Sequence, residues 1–375
     1  MTLAILGIGS ATPQHSISQQ DAALLAGTLA TAGATRERTL SAIYRQTQIF
    51  QRGSVLLEPP GDQPFSQSFF PPALDVDDAG PPTSERMARY AATAGPLAIA
   101  AAERALARAD VAGPQITHLV TCSCTGFVTP GVDLELCRAL GLPADVARTN
   151  IGFMGCHGAF NALRTADAFA GTGPDAVVLM VCIELCSLHF QYGSAADSIV
   201  ANSIFADGAG AIVGRSMAAS NYRHWRLVDQ TSAVLPDTAD QMGWTIGDHG
   251  FEMTLSAEVP GSIAGPLPGL VDELLARRSL SRADVTHWAV HPGGPRVLTA
   301  VEAALSLSPG HLAASRRILA EHGNMSSGTI LFILERLFTT DGRPDRCESA
   351  AAETCVAMAF GPGLTAELAL FATGE

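Results

Sequence analysis

One cysteine in this sequence, Cys156, stands in a setting that suits a nucleophile. Glycines frame it in Gly155-Cys156-His157-Gly158, and an apolar stretch of helical character follows. Glycine permits a sharp turn and the close approach of a substrate, and a helix N-terminus favours the thiolate form of cysteine. A lone cysteine is more often a small core residue, so the case for a nucleophile depends on partners elsewhere in the chain.

Two polar residues further along the chain could be these partners. His291 ends an apolar run and precedes Pro-Gly-Gly, which predicts a side chain above a cleft, although a satisfied surface histidine is the alternative. Asn324 opens a second apolar stretch within Gly-Asn-Met-Ser-Ser-Gly, where a plain helix N-cap is the alternative. A thiolate paired with an imidazolium can accept an acyl group from a thioester. His and Asn N–H groups can stabilise the oxygen of a malonyl-derived enolate.

A weak internal sequence repeat indicates which elements position these residues. Residues 108–111 (RADV) lead into a strand-like run that ends at Cys122, and residues 282–285 (RADV) lead into one that ends at His291. After each run, a similar length of chain separates the strand end from Cys156 or from Asn324. Chance similarity between two common βα units is the alternative to gene duplication.

Duplication predicts an α/β protein of two equivalent halves, 1–215 and 216–375, each with its own parallel sheet. Cys156 and Asn324 would then begin matching helices, and His291 would lie at a strand end. Because ligands bind beyond the carboxyl ends of strands, we expect the site where the halves meet.

Smaller features complete the prediction of structure. Residues 53–83 are rich in proline and predict a surface loop. A helix is expected from Thr83 or Ser84 to Tyr90, with Gly95-Pro96 interrupting it before a second helix that ends at Ala109. Gly7-Ile-Gly9 lacks the third glycine of a dinucleotide fingerprint, and we interpret it as a strand and a turn.

Composition excludes several classes of function. The chain has 375 residues and a formal net charge of -13, which disfavours binding to nucleic acid. All 23 basic residues are arginine, so chemistry that needs a lysine amine is excluded and phosphate contacts must come from Arg, hydroxyls or backbone N–H groups. The longest apolar run, 176–183, is too short to span a membrane.

The cysteines and the N-terminal residues indicate the cellular compartment of the protein and whether it binds a metal. The first basic residue is Arg36, so the N-terminus lacks the positive start of an export signal. Eight cysteines spread through apolar segments fit a reducing cytoplasm, mostly as core residues. Neither Cys122-x-Cys124 nor Cys182-x3-Cys186 has zinc-knuckle spacing, and we predict no metal site.

Four motifs together resemble the type III polyketide synthases of the chalcone synthase superfamily, in their bacterial form. They span residues 154–159 (MGCHGA), 291–295 (HPGGP), 323–329 (GNMSSGT) and 360–365 (FGPGLT). The resemblance implies a thiolase-like fold of layered αβαβα arrangement and substrates that are malonyl-CoA and an acyl-CoA starter, with no cofactor. It implies that Cys156 is the nucleophile, His291 its partner, and His291 with Asn324 the decarboxylation and oxyanion donors.

The resemblance also implies a substrate pocket and a homodimer. Phe205 matches a gatekeeper phenylalanine, whereas Met253 stands where plant enzymes have a second one. Further pocket residues are expected to be Cys124, Thr125, Cys186, His189, Trp244 and Gly363. Candidates for binding coenzyme A are Arg45, Arg52, Gly293 and Gly294. The homodimer would bring residues 128–130 (VTP) toward the neighbouring active site.

Alternatives remain open at this point. The chain could be a catalytically silent thiolase-fold subunit that binds acyl groups, or an initiating ketoacyl synthase that uses acyl carrier protein. The small apolar Cys124 and Cys186 favour a medium or long fatty acyl starter and alkylpyrone or alkylresorcinol products. A short or aromatic starter is the alternative.

Overall fold

The computed structural model describes residues 2–29, 34–59, 65–193, 195–217, 224–340, 343–344 and 352–374. Strands in these ranges are β1 (Thr2–Ala11), β2 (Ser16–Ser18), β3 (Gln51–Gly53), β4 (His118–Ser123), β5 (Ala147–Gly152), β6 (Val177–Leu185), β7 (Asp207–Met217), β8 (Arg226–Val234), β9 (Met242–Gly247), β10 (Gly250–Leu255), β11 (His287–Val290), β12 (Thr339–Thr340), β13 (Arg343–Pro344), β14 (Thr354–Gly361) and β15 (Thr365–Ala372).

The α-helices in the same ranges alternate with these strands along much of the chain. They are α1 (Gln19–Leu29), α2 (Ala34–Gln46), α3 (Thr83–Ala109), α4 (Val132–Leu140), α5 (Gly158–Ala170), α6 (Ala196–Ile204), α7 (Val259–Ala264), α8 (Leu267–Ala276), α9 (Pro295–Leu305), α10 (Ala313–His322) and α11 (Thr329–Phe338). Among these described helices, none combines the length and the apolar character that crossing a membrane requires.

Nine strands form one mixed sheet in the order β11-β14-β15-β8-β1-β7-β6-β4-β5. Along β1-β7-β6-β4 the pairings are antiparallel, antiparallel and parallel. In the second half, the pairings along β8-β15-β14-β11 are again antiparallel, antiparallel and parallel. The halves join where β1 pairs with β8 at Ala4 and Arg226. The prediction of two pseudo-duplicated α/β halves is therefore confirmed.

The prediction of a parallel sheet in each half is wrong. Within the described sheet, the parallel pairs are β4 with β5, β4 with β6, and β11 with β14. The link between β14 and β15 spans only residues 362–364, and a link that short joins antiparallel strands. Hydrophobic runs such as that of β6 show that both faces of a strand are buried, but they do not show its direction.

Successive side chains of a strand point to opposite faces of the sheet, and each face packs against a different layer of helices. In β6, Val178, Met180 and Cys182 face a central cluster that contains α5 and α11, whereas Leu179 and Val181 face α3 on the other side. The strand β14 repeats this pattern, because its alternate residues face the same central cluster or an outer cluster with α7, α8 and α9. The order is outer helix, sheet, central helices, sheet, outer helices, which confirms the predicted αβαβα layering.

The long helix α3 corrects one local prediction. It runs unbroken from Thr83 to Ala109 with Pro96 in its interior, where we expected an interruption. A side chain at Gly7 or Gly9 of β1 would overlap the backbone of α3, so these glycines let helix and strand pack in close contact. Burial of the alanine face of α3 against β1 offsets the cost of about 3 kcal/mol that an interior proline carries.

The cysteines lie mostly in the core, as expected. Six are buried and Cys137 is half-buried, and each of these seven is a free thiol. Cys347 lies outside the described residues.

Candidate active site

Cys156 lies in a single turn of 3-10 helix, Gly155–His157, between β5 and α5. Gly155 has φ of +70°, and a Cβ atom there would overlap the ring of Pro362. Glycine is therefore required directly before the cysteine. Cys156 is 9% exposed, and the side chains of Ser326 and Asn324 are close enough to lower the pKa of its thiol.

Asn324 lies in the second half between α10 and α11, two residues before the 3-10 turn Ser326–Gly328 that leads into α11. Its backbone is fixed on both sides, because its N–H donates to the Ile204 carbonyl at 2.9 Å and its carbonyl accepts the Ala206 N–H at 2.9 Å. The side-chain Oδ1 accepts the N–H of Ser326 at 2.8 Å. The amide nitrogen is therefore the end of this side chain that faces the Cys156 thiol.

His291 directly follows β11, and its backbone N–H donates to the Met358 carbonyl at 2.8 Å. The side chain is 1% exposed. Neither ring nitrogen has a hydrogen-bond partner in the described part of the protein. Because buried polar atoms are usually paired, an imidazole with both nitrogens unsatisfied indicates a site that a ligand completes.

The three side chains meet at one cavity of about 300 Å³. Cys156, His291 and Asn324 line it together, as the duplicated sequence pattern predicts. Residues predicted to contact substrate or coenzyme A also line it, namely Phe205, Met253, Gly293 and Gly294.

The electrostatics of the site differ from the predicted thiolate–imidazolium pair. Burial raises the pKa of Cys156 to about 11, although hydrogen bonds from Ser326 and Asn324 oppose the rise. Burial, with nearby His157, lowers the pKa of His291 to about 3. A dry site disfavours both charged forms. Burial therefore shifts both groups toward their neutral forms in the absence of substrate, which opposes the predicted ion pair.

Most predicted pocket residues lie beside the thiol. A second, smaller cavity of about 20 Å³ touches Cys156, and its walls include Cys124, Thr125, Cys186, Phe205, Trp244 and Met253. Gly363 is absent from the residues that line the described cavities; it has φ of +73° and donates its N–H to Met242, while the adjacent Pro362 forms the wall.

His189 lines a different, outer cavity, and its polar atoms are already in use. Its Nε2 lies 2.6 Å from the Thr125 carbonyl oxygen, and its Nδ1 accepts the Phe251 N–H at 3.0 Å. Burial lowers the pKa of His189 to about 3. This histidine therefore offers a substrate its ring surface rather than a hydrogen bond.

Arg52 does not lie where a coenzyme A phosphate could reach it, which corrects the prediction made for it. Its guanidinium is buried, donates to the carbonyls of Asn202 and Phe205, and lies over the Tyr44 ring. Arg52 thus holds the end of α6 and the backbone of Phe205. Arg45 is exposed in the last turn of α2, and its role stays a prediction.

Two polar residues of the site were not identified from the sequence. Ser326 contacts Cys156, and its Oγ lies 3.1 Å from the sulfur of Cys124. Glu184 is fully buried and accepts hydrogen bonds from Thr125 Oγ1 at 2.7 Å and from the Cys124 N–H. A single acid inside the otherwise apolar strand β6 was the feature that could have revealed it.

Comparisons with known proteins identify one family over both halves of the chain. The family profiles described as chalcone and stilbene synthases match in two parts, the N-terminal domain over residues 2–216 and the C-terminal domain over 226–373. The chain is 34% identical to the "Alpha-pyrone synthesis polyketide synthase-like Pks18" of Mycobacterium tuberculosis, over 99% of this chain and 91% of that protein. It is 37% identical to the 1,3,6,8-tetrahydroxynaphthalene synthase of Streptomyces peucetius, over 73% of each.

A solved structure is similar over nearly the whole fold. PKS-I from the brown alga Ectocarpus siliculosus superimposes with a TM-score of 0.89 at 30% identity, over 99% of this chain and 98% of that one. Because this similarity covers nearly the whole chain, it supports a thiolase-like fold for both halves. The chain belongs to the chalcone and stilbene synthase family and is a type III polyketide synthase, an acyl-transferring condensing enzyme.

Proposed function

We propose that the enzyme loads an acyl group from a coenzyme A thioester onto Cys156 and extends it with malonyl-CoA, without a further cofactor. The observation that carries this proposal is the buried imidazole of His291, unsatisfied at both nitrogens and facing the same cavity as Cys156 and Asn324. Leaving a buried polar atom unpaired costs roughly 1–3 kcal/mol. A thioester carbonyl and the thiol supply the missing partners.

Loading begins when the Cys156 sulfur attacks the starter carbonyl. The thiol proton passes to His291, and the departing coenzyme A thiolate takes it up, so His291 is neutral again. Malonyl-CoA then loses its carboxylate as carbon dioxide and leaves an enolate. N–H groups of His291 and Asn324 stabilise the enolate oxygen. The enolate carbon attacks the acyl group on Cys156, and the chain returns to coenzyme A two carbons longer.

The decisive experiment is incubation of the purified protein with labelled malonyl-CoA and a panel of acyl-CoA starters, with products identified by mass. Polyketides longer than the starter, formed without any carrier protein, are the expected result. Turnover that requires malonyl groups on a carrier protein would instead support the initiating ketoacyl synthase. A protein that yields no product from either donor would behave as a silent acyl-binding subunit.

The starter we propose is a medium or long fatty acyl group, giving alkylpyrone or alkylresorcinol products. An outer cavity of about 100 Å³ shares Cys186, Phe205, Trp244 and Met253 with the small cavity at the thiol. Its far walls are predominantly apolar, and include Ile17, Leu25, Leu29, Leu56, Leu57 and Phe70. Each buried CH₂ contributes roughly 0.8 kcal/mol, so a chain that passes Cys186 gains affinity with length. The alpha-pyrone synthesis in the name of the mycobacterial relative agrees with this product class.

Cys186→Phe should block long starters and spare short ones, because the ring would fill the passage between the two cavities. We expect the lauroyl-primed rate to fall at least about tenfold, the equivalent of 1.4 kcal/mol. The acetyl-primed rate should change less than about twofold. Product formation by mass spectrometry measures both. Cys186→Ser, which keeps the volume, is the matched control; equal losses for both starters in the Phe variant would refute the passage.

We also propose a homodimer. Phe127 and Phe153 are both exposed and pack on Phe251, and Met154 is exposed beside them. Exposed apolar surface of this kind favours association, and residues 128–130 adjoin it. Light scattering should give twice the chain mass of 38.9 kDa; a monomer at micromolar concentration would contradict the dimer.

The setting we propose for this chemistry is the reducing cytoplasm. Cys156 shares one small cavity with the thiols of Cys124 and Cys186. An oxidising compartment would favour disulfides among such neighbours and remove the nucleophile. Recovery of the activity outside the cytoplasm after cell fractionation would contradict this proposal.

A further inference from the structure

Glu184 is a buried acid that the proposed mechanism does not use. It lies in β6 and accepts hydrogen bonds from the Thr125 hydroxyl at 2.7 Å and from the Cys124 N–H at 3.0 Å. Among the described residues, no cation lies within ion-pair distance of it, in contrast to the buried Glu367, which pairs with Arg164. Burial raises the pKa of Glu184, which favours a carboxyl that can hold and release a proton. Acids shifted in this way cluster at functional sites.

On one side, Glu184 is connected to the nucleophile. The sulfur of Cys124 lies 3.5 Å from Glu184 Oε2 and 3.1 Å from the hydroxyl oxygen of Ser326. Ser326 in turn is close enough to Cys156 to lower the pKa of that thiol. A thiol and a hydroxyl, each with one exchangeable proton, therefore link the carboxyl to the sulfur that carries the acyl group.

On the other side, Glu184 is connected to a polar cavity of about 410 Å³, which shares no lining residue with the cavity at Cys156. Ser123 donates to Glu184 Oε2 at 3.5 Å, and the Tyr90 hydroxyl donates to Ser123 at 2.9 Å. Tyr90 and Ser123 line the polar cavity together with the exposed residues Arg148 and Asn150. A polar space of this size can hold water. Hydrogen bonds thus run from water in the polar cavity to the catalytic cysteine.

The proposed extension step needs a proton. When the enolate attacks the acyl group, the bond between the acyl carbon and the Cys156 sulfur breaks and leaves a thiolate, which must take up a proton to become a thiol again. Burial raises the pKa of Cys156 to about 11, so this thiolate is strongly basic. Burial also lowers the pKa of His291 to about 3, so its ring has no extra proton to give. The lengthened thioester still fills the substrate cavity at that moment, which disfavours delivery by water from that side.

We propose that Glu184 supplies the proton that Cys156 takes up after each extension and that water in the polar cavity restores it, an inference that rests on the proposed function. The Ser326 hydroxyl gives its proton to the thiolate and takes the thiol proton of Cys124, which the Glu184 carboxyl then replaces. The resulting carboxylate regains a proton through the two hydroxyls on its other side. The sum is the transfer of one proton from solvent to sulfur, with no oxidation or reduction. Loading of the starter needs no such supply, because the thiol proton leaves on coenzyme A.

The test compares loading with extension in Glu184→Gln and Tyr90→Phe. Loading is the attachment of the acyl group from an acyl-CoA starter without malonyl-CoA, followed by intact mass; extension is polyketide formation with malonyl-CoA. Glu184→Gln should slow extension by about 10²-fold, the lower end of what loss of a proton donor costs. Its loading rate should stay within about twofold of wild type. Tyr90→Phe should also spare loading and should slow extension by less, because the carboxyl remains.

Two further variants are controls. Glu184→Asp should recover part of the lost extension, because it keeps a carboxyl on the same strand. Tyr192→Phe also removes the hydroxyl of a buried tyrosine, but that hydroxyl donates to the Pro71 carbonyl and Tyr192 lines neither the substrate cavity nor the polar cavity. It should load and extend as wild type does.

The outcomes separate this inference from the proposed function. Losses confined to extension in both Glu184→Gln and Tyr90→Phe support the proton route. Equal losses of loading and extension in both variants would assign these residues a structural role and overturn it. Wild-type extension by Tyr90→Phe would overturn the supply from the polar cavity, and wild-type extension by Glu184→Gln would overturn the whole route. Failure of the wild type to extend any starter with malonyl-CoA counts against the proposed function, whatever the variants do.

Discussion

Cys156→Ala is expected to abolish polyketide formation while malonyl-CoA decarboxylation survives. The acyl chain has no attachment point once the sulfur is gone, so each extension loses its electrophile. Removing the nucleophile of a covalent mechanism typically costs at least about 10⁴-fold in rate. In the proposed mechanism, decarboxylation needs only the N–H donors of His291 and Asn324, and both residues line the same cavity as the thiol. Mass analysis of products and release of labelled carbon dioxide measure the two reactions separately.

Cys137→Ala is the control for this experiment, because Cys137 is half-buried on α4 and lines none of the described cavities around Cys156. It should retain wild-type condensation. Normal polyketide yield from Cys156→Ala would remove this residue from the mechanism. Loss of both reactions with a normal circular dichroism spectrum would mean that the thiol also takes part in decarboxylation.

The repetition of the fold could be predicted because it leaves a trace in local sequence. The RADV segments at 108–111 and 282–285 precede β4 and β11, which hold corresponding positions in the two halves. Strand direction leaves no such trace. Both faces of β6 and of β14 are buried, so their residues are apolar whichever way their neighbours run.

The meeting of Cys156, His291 and Asn324 at one cavity could also be predicted, but the charge states of the cysteine and the histidine could not. Cys156 lies in a glycine-flanked 3-10 turn, and Asn324 follows Gly323 just before a second such turn; short motifs specify both segments. The pKa values of Cys156 and His291 depend on how deeply the folded chain buries them. Helix position alone suggests a thiolate, yet burial dominates and raises the pKa of Cys156. The misassignment of Arg52 has the same origin, because only the folded chain brings the carbonyls of Asn202 and Phe205 to its guanidinium.

His291→Ala and Asn324→Ala should each slow decarboxylation of malonyl-CoA by about 10²–10³-fold, the usual effect of removing one oxyanion donor. Making each change separately in the Cys156→Ala background isolates this step, because no acyl transfer then contributes to the release of carbon dioxide. His311→Ala is the matched control, since His311 is exposed on a separate 3-10 turn. A parent-like rate in either double variant would exclude that residue as an enolate donor.

The pH dependence of decarboxylation tests the charge state of His291 in the same assay. Burial lowers the pKa of this histidine to about 3, so the ring stays neutral from pH 8 down to pH 6 and gains a proton only near pH 3. A neutral imidazole still donates one N–H to the enolate oxygen. The rate in the Cys156→Ala variant should therefore show no transition of the His291 ring near its ordinary value of about 6.5. A transition there that disappears with His291→Ala would mean that bound substrate restores the imidazolium, and that the phosphate and carboxylate charges of malonyl-CoA outweigh burial.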